Sequence, residues 1–157
     1  MDEYFKQAIN DFDPAVTKTG KTPARRTLFN VNGNSPLLNE TEKDKFHSVA
    51  AKLLYTSVKC RLDIQLPVSC LCTKVRKATR QDQYKLLRIL QYLNGRPNDK
   101  LILGVENLRI LKTWVGTSYA CHDSAKSHTG GSVSLGRGMI VSKSSKQRLV
   151  TKSSTEA

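Results

Sequence analysis

The chain has 157 residues, 38% of them apolar, and a formal charge of +13 at pH 7. This is the size of one ordinary domain or two very small ones, with enough apolar content for a modest core, which excludes a disordered chain. The charge is uneven: residues 1–45 hold seven acidic and seven basic groups, whereas residues 46–157 hold 19 Lys/Arg against 6 Asp/Glu. A compact region with that imbalance repels itself unless a polyanion neutralises it, so nucleic acid is the expected partner and an anionic membrane surface the second. No apolar run approaches the roughly 20 residues that span a bilayer, and "MDEYFKQAIN" lacks the basic start and apolar centre of a secretory signal. The expectation is a soluble intracellular protein, cytoplasmic or nuclear. Cys60, Cys70, Cys72 and Cys121 lack paired C-x-x-C spacing, so they are expected to pack as reduced small hydrophobes rather than bind zinc.

In chain order, residues 1–12 read as a short amphipathic helix through Tyr4, Phe5, Ala8, Ile9 and Phe12, ending where Pro14 disfavours continuation. The Thr-, Asn-, Gly- and Pro-rich stretch to about Leu38 reads as an extended connector. In "NETEKDKFHSVAAKLLYTSV" Phe46, Val49, Ala50, Leu53, Leu54 and Val58 recur at helical spacing, and Asn39 with Glu42 makes a capping box. "RLDIQLPVSCLCTKV" places Ile64, Val68, Leu71 and Val75 on one stripe, with Pro67 expected to start or kink the helix because it lacks a backbone donor. "TRQDQYKLLRILQYLNG" has Thr79 as N-cap, Asp82 three residues on, Leu86, Leu87, Leu90 and Leu93 facing inward, and Gly95 and Pro97 as its stop.

After Asn98 the apolar period shortens. "KLILGVENLRILKTWVGTSYA" reads as two strands joined by a "GVEN" turn. "GGSVSLGRGMIVSKSS" reads as a hairpin between Ser132–Leu135 and Met139–Ser142, turning at "GRG". Trp114 and Tyr119, on a predicted strand, are expected in the core rather than as stacking platforms for bases. Asp123 is expected in a turn, and Cys121 beside His122 is not expected to act as a nucleophile, because adjacent side chains rarely face each other productively. His122 and His128 match no recurring metal-ligand spacing, and no metal site is expected.

The ordered pieces "SYA", "SHTGG", "SLGRG", "SKSSKQ" and "SSTEA" resemble the start of the RNase H domain in the pol polyproteins of copia-type retrotransposons. Upstream, "FHSVAAKLLYTSVKCRLDIQLPVSCLCTKV" and "LLRILQYLNG" are similar to the helical segment that links reverse transcriptase to RNase H in those polyproteins. The resemblance implies an α+β chain: a polymerase-end remnant and connector over 1–38, a helical connection segment over 39–98, and a truncated RNase H-like domain over 99–157. The last would hold an incomplete antiparallel β-meander.

The family implies a mechanism as well, namely RNA-templated DNA synthesis with cleavage of RNA in RNA/DNA hybrids by two Mg²⁺ ions held by carboxylates. Two close divalent cations repel, so several anionic oxygens must be preorganised around them. Here Gly116 occupies the position of the family's first catalytic Asp, and a glycine offers no ligand. The next family carboxylate is the second Glu of a Thr-Glu-Ala-Glu stretch, one residue beyond Ala157. Asp123 and Glu156, the acidic residues after Gly116, align with no ligand. No Asp-Asp pair of a polymerase occurs either. No intact catalytic set and no bound cofactor are therefore expected, and no catalysis.

What remains is a basic surface. Lys74, Arg76, Lys77, Arg80, Lys85, Arg88, Lys143, Lys146, Arg148 and Lys152 are the candidate contacts to an RNA/DNA hybrid or duplex, through phosphates and with little sequence information. Ser144, Ser145, Ser153 and Ser154 are candidate hydrogen-bond donors beside them. The rival expectation is a non-enzymatic binding or interaction module, in which an open sheet edge and an uncovered apolar face support self-association.

Overall fold

The computed structural model describes residues 2–12 and 16–157. Four helices come first: α1 (Asp2–Phe12), α2 (Glu40–Lys59), α3 (Gln65–Cys72) and α4 (Arg80–Asn94). Five strands follow: β1 (Gly104–Val105), β2 (Lys112–Ser118), β3 (His128–Ser134), β4 (Gly136–Arg137) and β5 (Val141–Lys146). The chain is thus mixed α+β. The expected stop of α1 at Pro14 falls outside the described residues, although α1 does end at Phe12. Among the described residues no helix is long and apolar enough to cross a membrane.

Local chemistry accounts for the helix starts. Asn39 accepts the Glu42 amide at 2.8 Å while the Glu42 carboxylate accepts the Asn39 amide, and Thr79 and Asp82 repeat the reciprocal pair on α4. Each box satisfies two amides that the helix itself leaves without acceptors. Pro67 sits in the first turn of α3, where its missing N–H costs no intrahelical bond. Phe46, Val49 and Leu53 of α2, Ile64, Val68 and Leu71 around α3, and Leu86, Ile89, Leu90 and Leu93 of α4 form one core with Phe5, Ala8 and Phe12 of α1. Each such side chain contributes about 1.5–3 kcal/mol relative to exposure.

Leu54 and Val58 depart from expectation, at 38% and 50% exposed. The stripe from Val49 and Leu53 continues at helical period through Thr56 and Ser57, which are fully buried. Their hydroxyls donate to the Lys52, Leu53 and Leu54 carbonyls, so two polar residues occupy the core face without unmet hydrogen bonds.

The connector is not loose. It runs antiparallel along α4, from the α4 C-terminus to its N-terminus. Asn94 donates to the Val16 carbonyl, the Gly20 amide to Gln91 O at 2.9 Å, Lys85 Nζ to Asn30 O at 2.8 Å, and the Asn32 amide to the Gln81 side chain. The Leu38 amide then reaches Ala78 O, and the Arg80 amide reaches Pro36 O. Leu28 and Leu38 anchor the strap by burial.

At the α2–α3 junction Arg61, 2% exposed, makes a two-pronged ion pair with Asp63, donates to Arg96 O at 2.9 Å, and lies over the Phe5 and Tyr92 rings. This single guanidinium ties α1, the α2–α3 turn and the end of α4 together.

Strands β2, β3 and β5 form an antiparallel meander with β3 in the middle. The expected "GVEN" turn is instead partly a strand: Gly104 pairs with Arg137 and Val105 with Gly136. Likewise "GRG" is not a plain hairpin turn. Gly136 and Gly138 take φ of +146° and +75°, which swings the segment out of the hairpin and against residues 102–106. The "KLIL" stretch forms no strand of its own, since the backbone beyond it is taken up by this small β1–β4 pairing.

Trp114 and Tyr119 are not core residues. Every residue of β2 is exposed because β2 is a sheet edge that no helix covers, leaving Trp114 48% and Tyr119 44% exposed. The Tyr119 hydroxyl donates to Lys152 O at 3.0 Å and pins the C-terminal segment.

Candidate nucleic-acid interface

The register of the meander sorts its side chains, because directly paired residues share a face. One face carries Trp114, Gly116 and Ser118 on β2, His128, Gly130 and Ser132 on β3, and Ser142, Ser144 and Lys146 on β5. This face meets α3: Gln65 Nε2 donates to Ser142 O at 3.0 Å, the Ser142 hydroxyl donates to Gln65 Oε1 at 2.6 Å, and Ser69 Oγ lies 3.2 Å from Ser144 Oγ. The opposite face carries Val115, Thr117, Thr129, Gly131, Val133, Val141, Lys143 and Ser145, and Val115 and Val141 are 75% and 58% exposed.

The ten basic candidates do not form one patch. Lys74, after α3, donates to Asp123 at 2.9 Å, and Lys146 stands 4.0 Å from the other oxygen of that carboxylate. Two lysines 72 residues apart in sequence are thereby brought together. Asp123 lies in the expected turn, and the Lys74 ammonium holds its carboxyl below the ordinary range despite partial burial. Arg80 is occupied by Glu42 at 2.7 Å and Gln83 at 2.6 Å. Lys85 and Arg88 bind the connector, through Asn30 O and the Thr22 hydroxyl. Arg76, Lys77, Lys143, Arg148 and Lys152 are exposed, and Lys143 projects from the sheet face opposite Lys146.

Between these groups lies a buried polar chain. His122 Nε2 is 3.0 Å from His128 Nδ1, His128 Nε2 is 2.7 Å from Ser144 Oγ, and Ser69 Oγ is 3.4 Å from His128 Nε2. Phe29 of the connector packs edge-on against His122 at 5.0 Å. Burial first, then the nearby charges of Lys146 and Lys74 and the His128 ring, pushes His122 down to about 4, and burial pushes His128 down as well. Both imidazoles are neutral at pH 7 and add nothing to the attraction of phosphate. Ser144, expected as a phosphate donor, is occupied by His128, while Ser153 Oγ lies 2.8 Å from Thr155 Oγ1.

Gly116 pairs with Gly130 and lines an open groove of about 560 Å³ between the sheet and the start of α3. Nothing lies within 4 Å of where its Cβ would be, so the position has room for a side chain but presents no ligand. Among the described residues no three His, Cys, Asp or Glu side chains come together as a metal-binding group. Holding two metal ions takes several converging carboxylates, which this groove does not bring together among the described residues. Three of the thiols are moved away from the reactive thiolate: burial pushes Cys70 up to about 11 and raises Cys72 and Cys121.

The chain matches no protein-family model, no curated protein and no solved structure. Sequence reasoning missed the connector's part in the site. Phe29 lies in a stretch with no periodicity, and its signal was an apolar pair, Leu28–Phe29, inside a polar, basic segment.

Proposed function

We propose that the chain is a segment of a copia-type retrotransposon polyprotein, ancestrally reverse transcriptase with RNase H, that binds nucleic acid through its phosphates and does not cut it. One observation carries the reading. The motif pieces "SYA", "SHTGG", "SLGRG" and "SKSSKQ" fall on β2 to β5 and their connections, and the antiparallel β2–β3–β5 sheet among them supports the RNase H-like reading. Gly116, at the place of the family's first Asp, lines an open groove and offers no metal ligand there, which supports the reading of binding without Mg²⁺-dependent cleavage. The exposed Arg76, Lys77, Lys143, Arg148 and Lys152 provide counterion-releasing contacts that fit an RNA/DNA hybrid or duplex. Binding of a labelled RNA/DNA hybrid in a salt series tests the reading. Affinity is expected to fall log-linearly with salt, and Lys143→Ala to lower the slope by about 1. Absence of binding at low salt overturns the binding claim. Specific cleavage of the hybrid in Mg²⁺ above a buffer control overturns the non-catalytic one.

A second reading, a protein-interaction module, is favoured by one specific feature. The segment from Ile102 to Val115 exposes Ile102, Leu103, Leu108, Ile110, Leu111 and Val115 by 52–80%, beside the unpaired edge of β2. Exposed apolar side chains near an unpaired strand edge suit pairing with a second copy of the chain.

A further inference from the structure

The connector strap and α4 line a half-open cavity of about 450 Å³ that none of the sequence motifs accounts for. Its volume lies within the range of about 300–1,000 Å³ typical of small-ligand sites. Three of its lining residues are cationic, Arg25 from the strap and Lys85 and Arg88 from α4, and no carboxylate lines it. Arg88 uses Nη2 on Thr22 but leaves its buried Nε without a partner, and Arg25 is exposed. Leu28 and Leu87 supply an apolar wall, and the Tyr84 ring, 65% exposed, stands at the same cavity.

An apolar wall, an exposed aromatic ring and unopposed guanidinium groups are complementary to a flat base joined to a phosphate. A base inside a duplex is stacked on both faces and cannot enter such a cavity, so the fitting ligand is an unpaired nucleotide. We propose that this cavity takes one nucleotide of an unpaired strand, with its phosphate on Arg25 and Arg88 and its base against Tyr84. The inference rests on the nucleic-acid reading above and gives it a site specific for single-stranded ends beside the general phosphate contacts. It also assigns the stacking role to Tyr84, on a helix face, rather than to either aromatic of the strand region.

Two measurements on the full chain test it. First, affinity is compared for a blunt RNA/DNA hybrid and the same hybrid with a single-stranded overhang. The wild type should prefer the overhang, and Tyr84→Ala should weaken overhang binding about tenfold, the scale of one lost base stack, while leaving the blunt hybrid unchanged. Tyr84→Phe should retain the preference, and Arg25→Ala should reduce it. Both positions are exposed, so the variants keep the fold. Second, uridine 5′-monophosphate is titrated into the labelled protein and followed by NMR. Shifts confined to Arg25, Tyr84, Lys85 and Arg88 support the site. Hybrid binding with neither an overhang preference nor these shifts overturns the cavity proposal and leaves the general reading standing. Mononucleotide shifts without any hybrid binding do the reverse.

Discussion

His122 and His128, six residues apart on either side of a turn, share a 3.0 Å hydrogen bond inside the protein, and Ser144 continues the chain at 2.7 Å. Two lysines, Lys74 and Lys146, stand nearby on Asp123, so a proton added to either ring enters a buried and already positive surrounding.

A pH dependence follows from the sign of that effect. The folded His122 titrates at about 4 against 6.5 when exposed, so the unfolded chain binds more protons between those values. The contribution of this ring should be constant above pH 7 and fall as pH drops from about 6.5 toward 4, by an amount on the order of 3 kcal/mol. Urea midpoints at pH 7 and pH 5 check it, and His122→Gln should flatten the difference.

Arg61→Met should destabilise the helical half by about 1–3 kcal/mol, because it removes a buried guanidinium's bonds to Asp63 and Arg96 O, while the Asp63 carboxylate, 35% exposed, is left to water. Burial would raise the Asp63 carboxyl, but the Arg61 guanidinium and the Tyr92 hydroxyl outweigh it and hold it below the ordinary range. The loss is read as a lower thermal midpoint. Tyr92→Phe should cost less, about 1 kcal/mol, since Arg61 remains in place.

Gly138→Ala places a methyl against the Ile102 carbonyl at a backbone φ of +75°. The expected cost is about 1–3 kcal/mol, concentrated in the β1–β4 pairing. Faster amide exchange at Glu106, whose N–H donates to Leu135 O at 3.0 Å, reports that loss.

Gly116→Asp should fold like the wild type, within about 0.5 kcal/mol, because its Cβ meets open space. It should leave RNA/DNA hybrid uncut in Mg²⁺, since one carboxylate cannot hold two metal ions. Circular dichroism and a cleavage assay check the two halves.

Val115→Lys adds a charge to the exposed edge strand without touching the helical core. If the open edge supports pairing between copies, the substitution should lower the sedimentation coefficient at high protein concentration toward that of the monomer.

Much of the helical half was legible from local rules. The two capping boxes, the stop at Gly95 and the stripes of α1 and α4 depend on residues three or four apart, and those neighbours meet in any helix. The face of α2 beyond Leu53 was misread because hydrophobicity pointed to Leu54 and Val58, while helical geometry carried the stripe to Thr56 and Ser57. Apolar identity is a weaker guide than position when a hydroxyl can satisfy itself on the preceding turn.

The candidate site was legible only as a list of charges. Which lysines converge on Asp123, which arginines are occupied by the connector, and that His122 faces His128 all depend on contacts across tens of residues. The same holds for Trp114, whose exposure follows from β2 being an edge rather than from the side chain itself.

Composition and short-range periodicity act within a turn or two of chain, and they were enough for the basic imbalance, the four helices and a strand-rich second half. Folding alone sets the connector along α4, pairs Gly136 and Arg137 with residues 104–105, and divides the charges among separate places. Those outcomes are set by which distant backbone and side-chain groups find partners on folding, and no short window of sequence contains both members of such a pair.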